Sequence, residues 1–179
     1  MRYDPKIHQR RSIRLTDYDY SNAGVYFVTV CTHDHECLFG DVSADGTMVL
    51  SAAGDVVANE WAAAVAAYAG AECDAYVVMP NHFHGIVIFN DTVGAIRESP
   101  LHPPMQQRRT MGLSRLVGRF KTRSAKRINP LRGTPGASVW QRNCYERIIR
   151  NDAERDRIRD YIQNNPARWA DDAENPFRP

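Results

Sequence analysis

The amino-acid sequence predicts an α+β fold: a ferredoxin-like β-α-β-β-α-β core with a mostly antiparallel sheet, followed by a C-terminal helix that bears Tyr161. Three observations predict it. Apolar runs of strand length alternate with stretches of helical period, in the order strand, hairpin, helix, hairpin, helix, strand, helix. The steps Asp45-Gly46 and Pro80-Asn81 mark short connections between neighbouring strands. At 179 residues, 43% hydrophobic and 25% charged, the chain can bury one proper core without staples.

The elements follow in order. Residues 25–31 are rich in β-branched and aromatic side chains and read as a buried strand. Residues 38–41 and 47–50 flank Ser43-Ala44-Asp45-Gly46, a hairpin turn. Ser51 is placed to cap an Ala-rich helix to about residue 69, with Val57, Trp61, Val65 and Tyr68 at helical spacing. Residues 75–79 and 84–89 are two more strands joined through Pro80-Asn81, and residues 91–110 form a long loop. Residues 112–128 place Leu113, Leu116, Val117 and Phe120 on one helical face and Arg115, Arg119, Arg123 and Lys126 on another. A last core strand is expected over 139–149. Asn151-Asp152-Ala153-Glu154 is a capping-box pattern opening a final helix that Pro166 stops. One domain is expected: a basic arm (1–24), the core (25–150), the Tyr161 helix (151–166) and a tail (167–179).

Composition excludes some classes. No run of eighteen apolar residues exists, so no helical membrane span is expected. The basic residues 1–14 lack an apolar stretch behind them, which argues against a secretory signal. Cys31, Cys37, Cys73 and Cys144 show no C-x-x-C spacing and read as reduced thiols of a cytoplasmic protein. The net charge of +2 hides an asymmetry. Residues 1–24 balance at +2, residues 25–99 at −9 and residues 100–179 at +9; residues 100–145 hold ten basic side chains and no acidic one. A solvated face usually mixes both signs, so this one favours a polyanion, with clustered Arg and Lys displacing counterions from phosphates.

Two His-x-His pairs compete for the chemistry. The first lies in Cys31-Thr32-His33-Asp34-His35-Glu36-Cys37. On a strand its outer cysteines would stand about 20 Å apart, too far to share one zinc ion, so an exposed strand end is the preferred reading. The second is His82-Phe83-His84. Both imidazoles leave one strand face, about 7 Å apart at their roots, while Phe83 points to the other. They could converge on one ion or phosphate, or stand as structural histidines, and spacing leaves both open. Gly85 then leaves room for a close approach by backbone or ligand.

In the last helix Tyr161 and Asn165 share a face, one turn apart, and Arg157 extends it with a phosphate-pairing cation. Tyr145, in the basic segment Trp140-Gln141-Arg142-Asn143-Cys144-Tyr145, is the rival nucleophile. Spacing does not choose between the two tyrosines.

Pro80-Asn81-His82-Phe83-His84 together with Tyr161-Ile162-Gln163-Asn164-Asn165-Pro166 resembles the signature pair of the HUH single-tyrosine transposases, and among them the REP-associated tyrosine transposases. Arg10-Arg11-Ser12-Ile13-Arg14, Tyr18-Asp19-Tyr20-Ser21, Gly24-Val25-Tyr26-Phe27-Val28-Thr29 and Val139-Trp140-Gln141-Arg142-Asn143 match further segments of that pattern, in order, across nearly the whole chain. The resemblance implies that His82, His84 and Asn165 hold a divalent metal, Mg²⁺ or Mn²⁺, and that Tyr161 is the catalytic nucleophile toward a phosphodiester of single-stranded DNA. Relatives outside this branch often carry Gln where this chain has Asn165. The implied activity is cleavage and rejoining of palindromic hairpin DNA through a 5′-phosphotyrosine, in a nucleoid-associated cytoplasmic enzyme. The branch is expected to be monomeric with its tyrosine acting in cis, whereas other HUH transposases exchange that helix in dimers. Arg10, Arg11, Arg14, Arg115, Arg119, Arg123, Lys126, Arg142 and Arg157 are the candidate DNA contacts.

Three other readings compete: a non-catalytic RNA-recognition-like module, a domesticated hairpin-binding relative, and a small zinc protein built on residues 31–37. The first would need a string of exposed stacking aromatics that the sequence does not show.

Overall fold

The computed structural model describes residues 23–90 and 112–178. Arg10, Arg11 and Arg14, and the loop expected over 91–110, lie outside the described residues.

Strand β1 (Gly24–Cys31) is followed by the small hairpin β2 (Gly40–Val42) and β3 (Met48–Leu50), helix α1 (Ala52–Ala66), strands β4 (Ala71–Val78) and β5 (His82–Phe89), helix α2 (Gly112–Arg132), strand β6 (Tyr145–Ile149) and helix α3 (Asp152–Asn164). The main sheet runs β4-β5-β1-β6 and every pairing in it is antiparallel. With β2 and β3 set aside as their own two-stranded sheet, that is the strand order of the expected ferredoxin-like core.

Strand alternation builds two unlike faces. Tyr26, Val28 and Val30 of β1 and Phe83 and Val87 of β5 face α1 and α2, meeting Val57, Trp61, Leu113, Leu116 and Phe120 in the main core. On the other face Phe27, Ile86 and Ile149 pack with Ile162 of α3 in a smaller cluster. Because β5 begins at His82, two residues before its expected start, both histidines lie inside the ladder, paired with Cys31 and Thr29 of β1. They belong to the α3 face, and Phe83 to the helical one.

Several sequence expectations are corrected. The ladder of β6 covers only Tyr145–Ile149 of the strand expected over 139–149. Trp140 makes a single bridge with Thr32, and the Lys121 ammonium gathers the carbonyls of Gln141, Arg142 and Asn143, which turns them away from strand pairing. Helix α2 continues to Arg132 with Pro130 in its last turn, because Ile128 and Asn129 are buried and the Asn129 amide donates to Ala137 O. Pro166 ends α3 but opens a 3₁₀ turn, Pro166–Asp171. His33–His35 is a 3₁₀ turn, not a strand end, with Asp34 and His35 at φ 53° and 56°. Gly85 makes room for no ligand: a Cβ there would meet Phe83 Cε1 and Trp61 Cζ2 at 2.8 Å, so its bare backbone serves the core.

Caps behave as their residue types require. Ser51 Oγ accepts from Gly54 N–H at the start of α1, and Asn151 Oδ1 accepts from Glu154 N–H at the start of α3. The Glu154 carboxylate does not close the box on Asn151; it accepts from Arg150 N–H and pairs with Arg147.

Candidate functional site

The α3 face of the sheet buries polar side chains. His82 is 0% exposed, His84 4% and Asn165 2%. The two imidazole centroids are 4.6 Å apart. Helix α3 lies across this face, anchored by Ile162 among Phe27, Ile86 and Ile149. One residue before that anchor, the Tyr161 hydroxyl stands 3.2 Å from His84 Nε2. Phe27 stacks on the His84 ring at 5.4 Å and meets Tyr161 edge-on at 6.3 Å, so one aromatic fixes both partners.

Each histidine is held by its other ring nitrogen. Thr29 Oγ1 lies 2.8 Å from His84 Nδ1, and His82 Nδ1 lies 2.9 Å from Asn81 Oδ1. Burial pushes the His82 pKa down to about 4, against an upward pull from Asp172 and Asn165. Burial and the neighbouring His82 hold His84 well below the usual imidazole range. Both rings are therefore neutral at pH 7, the state in which imidazole binds metals. Burial also raises the Tyr161 phenol, with Asp172 adding to the rise and Asn165 opposing it. The phenol stays protonated at neutral pH and needs help to act as a nucleophile.

The donor set suits a divalent ion. His82 Nε2 and Asn165 Oδ1 are both buried without a hydrogen-bond partner, and such orphans are few in folded proteins. Two imidazole nitrogens and a carboxamide oxygen favour Mn²⁺ over Mg²⁺, which prefers oxygen. Among the described residues no group of three or more His, Cys, Asp or Glu is placed to hold a metal. A cleft of about 530 Å³ opens beside these groups, lined in part by Thr29, His84, Tyr145, Tyr161, Asn165 and Arg168.

The sequence-derived residues are thus brought together unevenly. His82, His84, Asn165 and Tyr161 converge. Tyr145 lines the same cleft, but the described contacts give its hydroxyl no histidine partner, and its ring meets Phe27 at 6.4 Å. Arg115, Arg119 and Lys126 are exposed on α2, whose apolar side packs on the opposite face of the sheet from Tyr161. Arg123 is not a free cation: its Nε donates to Glu60 Oε2 at 2.7 Å, and Arg127 binds the other oxygen at 2.9 Å. Arg142 is exposed and lines a separate depression with His33 and His35; Arg157 is exposed on α3. The first His-x-His pair is spent on neighbours, His33 on Asp34 and His35 on Glu174 and Gln141. Burial raises the Cys31 thiol to about 12 and pushes Cys37 up too, which leaves both poor metal ligands.

Sequence reasoning missed Thr29, Asn81 and the segment after α3. The 3₁₀ turn brings Trp169 to 6.0 Å from the His82 ring and Asp172 Oδ2 to 4.0 Å from His82 Nε2. Register with His84 could have found Thr29. Nothing local marks Asp172.

Comparison with known proteins agrees with this architecture. No protein-family model matches the chain. An uncharacterized protein of Haemophilus influenzae is 37% identical over 178 residues, covering 96% of each chain. A REP-associated tyrosine transposase solved bound to a REP hairpin superposes with a TM-score of 0.53 at 18% identity, over 88% of this chain and 74% of that one. A Deinococcus radiodurans chain described as a transposase candidate gives a TM-score of 0.42 at 20% identity, over 84% of this chain and 97% of that one. The protein belongs to the family of the Haemophilus influenzae chain, and it is built on the fold of a REP-associated tyrosine transposase.

Proposed function

We propose that the protein is a divalent-metal-dependent endonuclease and strand transferase of single-stranded DNA, acting on palindromic hairpins through a 5′-phosphotyrosine. One observation carries the reading: the Tyr161 hydroxyl meets His84 in a cleft, and His84 in turn contacts the buried His82 ring, with an orphaned carboxamide oxygen on Asn165 beside them. The hairpin in the related transposase structure supports the substrate class.

Tyr161 Oη forms a bond to phosphorus, the bond from phosphorus to the 3′ oxygen breaks, and the phenolic proton leaves to the open cleft while the 3′ oxygen takes one up. The phosphotyrosine keeps the bond energy, so a free 3′ hydroxyl can reverse the step. His82, His84 and Asn165 would hold Mn²⁺ or Mg²⁺, which supplies Lewis-acid polarisation of the phosphate. Arg168, in the cleft wall, is placed to offset phosphate charge. Tyr161 folds back onto His84 of its own chain, the arrangement a nucleophile acting in cis requires. Among the described residues no helix is long and apolar enough to cross a membrane.

The test is incubation with end-labelled hairpin DNA and Mn²⁺, followed by a denaturing gel. A covalent protein–DNA band is expected from the wild type and from Tyr145→Phe, and none from Tyr161→Phe, which should still bind the hairpin. Hairpin binding without any band would leave a non-catalytic hairpin binder.

A further inference from the structure

We propose that Asn81 is a positioning residue with two separate duties: it sets the tautomer of His82, and it clamps the segment after α3 against the site. The effect of the first duty on metal affinity rests on reading His82 as a metal ligand; the tautomer itself and the second duty do not.

Asn81 is 0% exposed and sits between β4 and β5. Its Nδ2 donates to two backbone carbonyls, His35 O at 3.1 Å and Glu174 O at 2.6 Å. Both partners are pure acceptors, so the orientation of the amide is decided: the nitrogen faces them and Oδ1 faces His82. Oδ1 in turn can only accept. The 2.9 Å contact is therefore a hydrogen bond from His82 Nδ1–H, and the neutral ring leaves its lone pair on Nε2. That nitrogen is buried without a partner. The carboxylate facing it, Asp172 Oδ2, is 4.0 Å away, too far for a hydrogen bond. The amide thus turns the Nε2 lone pair toward the buried space shared with Asp172 and Asn165. His84 has no such arbiter, because Thr29 and Tyr161 both offer hydroxyls that donate or accept.

The second duty follows from the same nitrogen. Glu174 O is the acceptor of its shorter bond, Glu174 N–H binds Asp172 Oδ1 at 2.8 Å, and His35, whose carbonyl takes the other bond, holds the Glu174 carboxylate at 2.9 Å. One buried amide joins the histidine strand, the 31–37 turn and the C-terminal segment that walls the cleft. The fold alone asks for none of this, since Met79 N–H already closes the turn on His82 O.

The two duties separate by substitution. Asn81→Asp keeps an acceptor for His82 Nδ1–H but loses both donated bonds; Asn81→Ala loses everything. The full-length, metal-free protein with ¹⁵N-labelled histidine reports the tautomer of His82 by long-range ¹H–¹⁵N correlation, and titration calorimetry with Mn²⁺ alone reports affinity. We expect His82 protonated at Nδ1 in the wild type and in Asn81→Asp, and mixed in Asn81→Ala. Mn²⁺ affinity should fall roughly 10- to 100-fold in Asn81→Ala and hold within about threefold in Asn81→Asp. Tryptic cleavage after Arg168 should speed up in both variants. A wild-type His82 protonated at Nε2 overturns the first duty, as does an affinity loss in Asn81→Asp equal to that in Asn81→Ala. Unchanged proteolysis overturns the second. An Mn²⁺ affinity untouched by His82→Ala would instead sink the metal reading, with the tautomer and proteolysis measurements still standing as tests of Asn81.

Discussion

The two faces of one sheet are built for different ends. Against α1 and α2, β1 and β5 present Tyr26, Val28, Phe83 and Val87 to Trp61 and Phe120, and the interface is aromatic and closely packed. Against α3 the intervening residues of those strands include Thr29, His82 and His84, and the interface sets these polar groups, a cleft and unpartnered buried atoms beside a small apolar cluster around Ile162. Alternation along eight-residue strands makes this division possible, because each inward residue on one face frees its neighbour for the other. The lesson is that stability comes mainly from one layer, which lets the other leave hydrogen-bonding capacity unspent.

Substitutions on the two faces should therefore separate turnover from stability. The largest effect is expected at His82 or His84. Alanine at either should lower hairpin cleavage by roughly 10³-fold or more while hairpin binding stays within a few-fold, as read by single-turnover cleavage beside a filter-binding isotherm. Turnover retained in His82→Ala at limiting Mn²⁺ would erase the functional distinction between the faces. Next, Phe120→Ala on the helical face should cost about 3–5 kcal/mol of unfolding free energy in urea, with cleavage per folded molecule unchanged.

Glu60 offers a smaller, pH-dependent contrast. It is 1% exposed, and the hydrogen bond from Arg123 holds its pKa below the ordinary carboxylate value despite burial, helped by Arg127. A folded pKa below the unfolded one adds stability above the unfolded value, and that stability is lost as pH falls through the folded one. Glu60→Gln should thus cost about 1–3 kcal/mol at pH 7, and the gap to wild type should shrink as pH is lowered from about 5. Melts at pH 7 and pH 4 that differ by the same amount from wild type would refute it.

The mildest effect concerns α2. Arg115 and Arg119 are exposed behind the sheet, so their joint replacement by Gln should weaken hairpin binding without changing cleavage at saturating DNA. The slope of log affinity against log salt should flatten by about 1.4 if both meet single strand. An unchanged slope would remove this helix from the DNA-binding surface.

Much of the fold was legible because its signals are local. Val57 and Trp61 at helical spacing, Ser51 and Asn151 as caps, and the alternation around Phe83 each report on a few neighbouring residues, and each element formed where those signals lie. The segment 139–149 misled because Val139, Trp140 and Tyr145 are strand formers, whereas the carbonyls of Gln141, Arg142 and Asn143 between them are taken by an ammonium distant in sequence, Lys121. Arg123 stays half exposed yet pairs with Glu60, a buried carboxylate that a helical wheel does not show.

By itself the sequence determined the order of elements, the opposite pointing of His82 and Phe83, the shared helix face of Tyr161 and Asn165, and the separation of charge along the chain. Periodicity and spacing suffice for these, since backbone geometry converts them directly into direction. The tertiary structure alone decided that Tyr161 and not Tyr145 reaches a histidine, that Gly85 serves the core, and that the residues after α3 return to wall the cleft. Those outcomes depend on contacts between residues tens of positions apart, such as Thr29 with His84 and Asn81 with Glu174. No local pattern encodes such pairings; they exist only once sheet register and helix packing have brought the partners together.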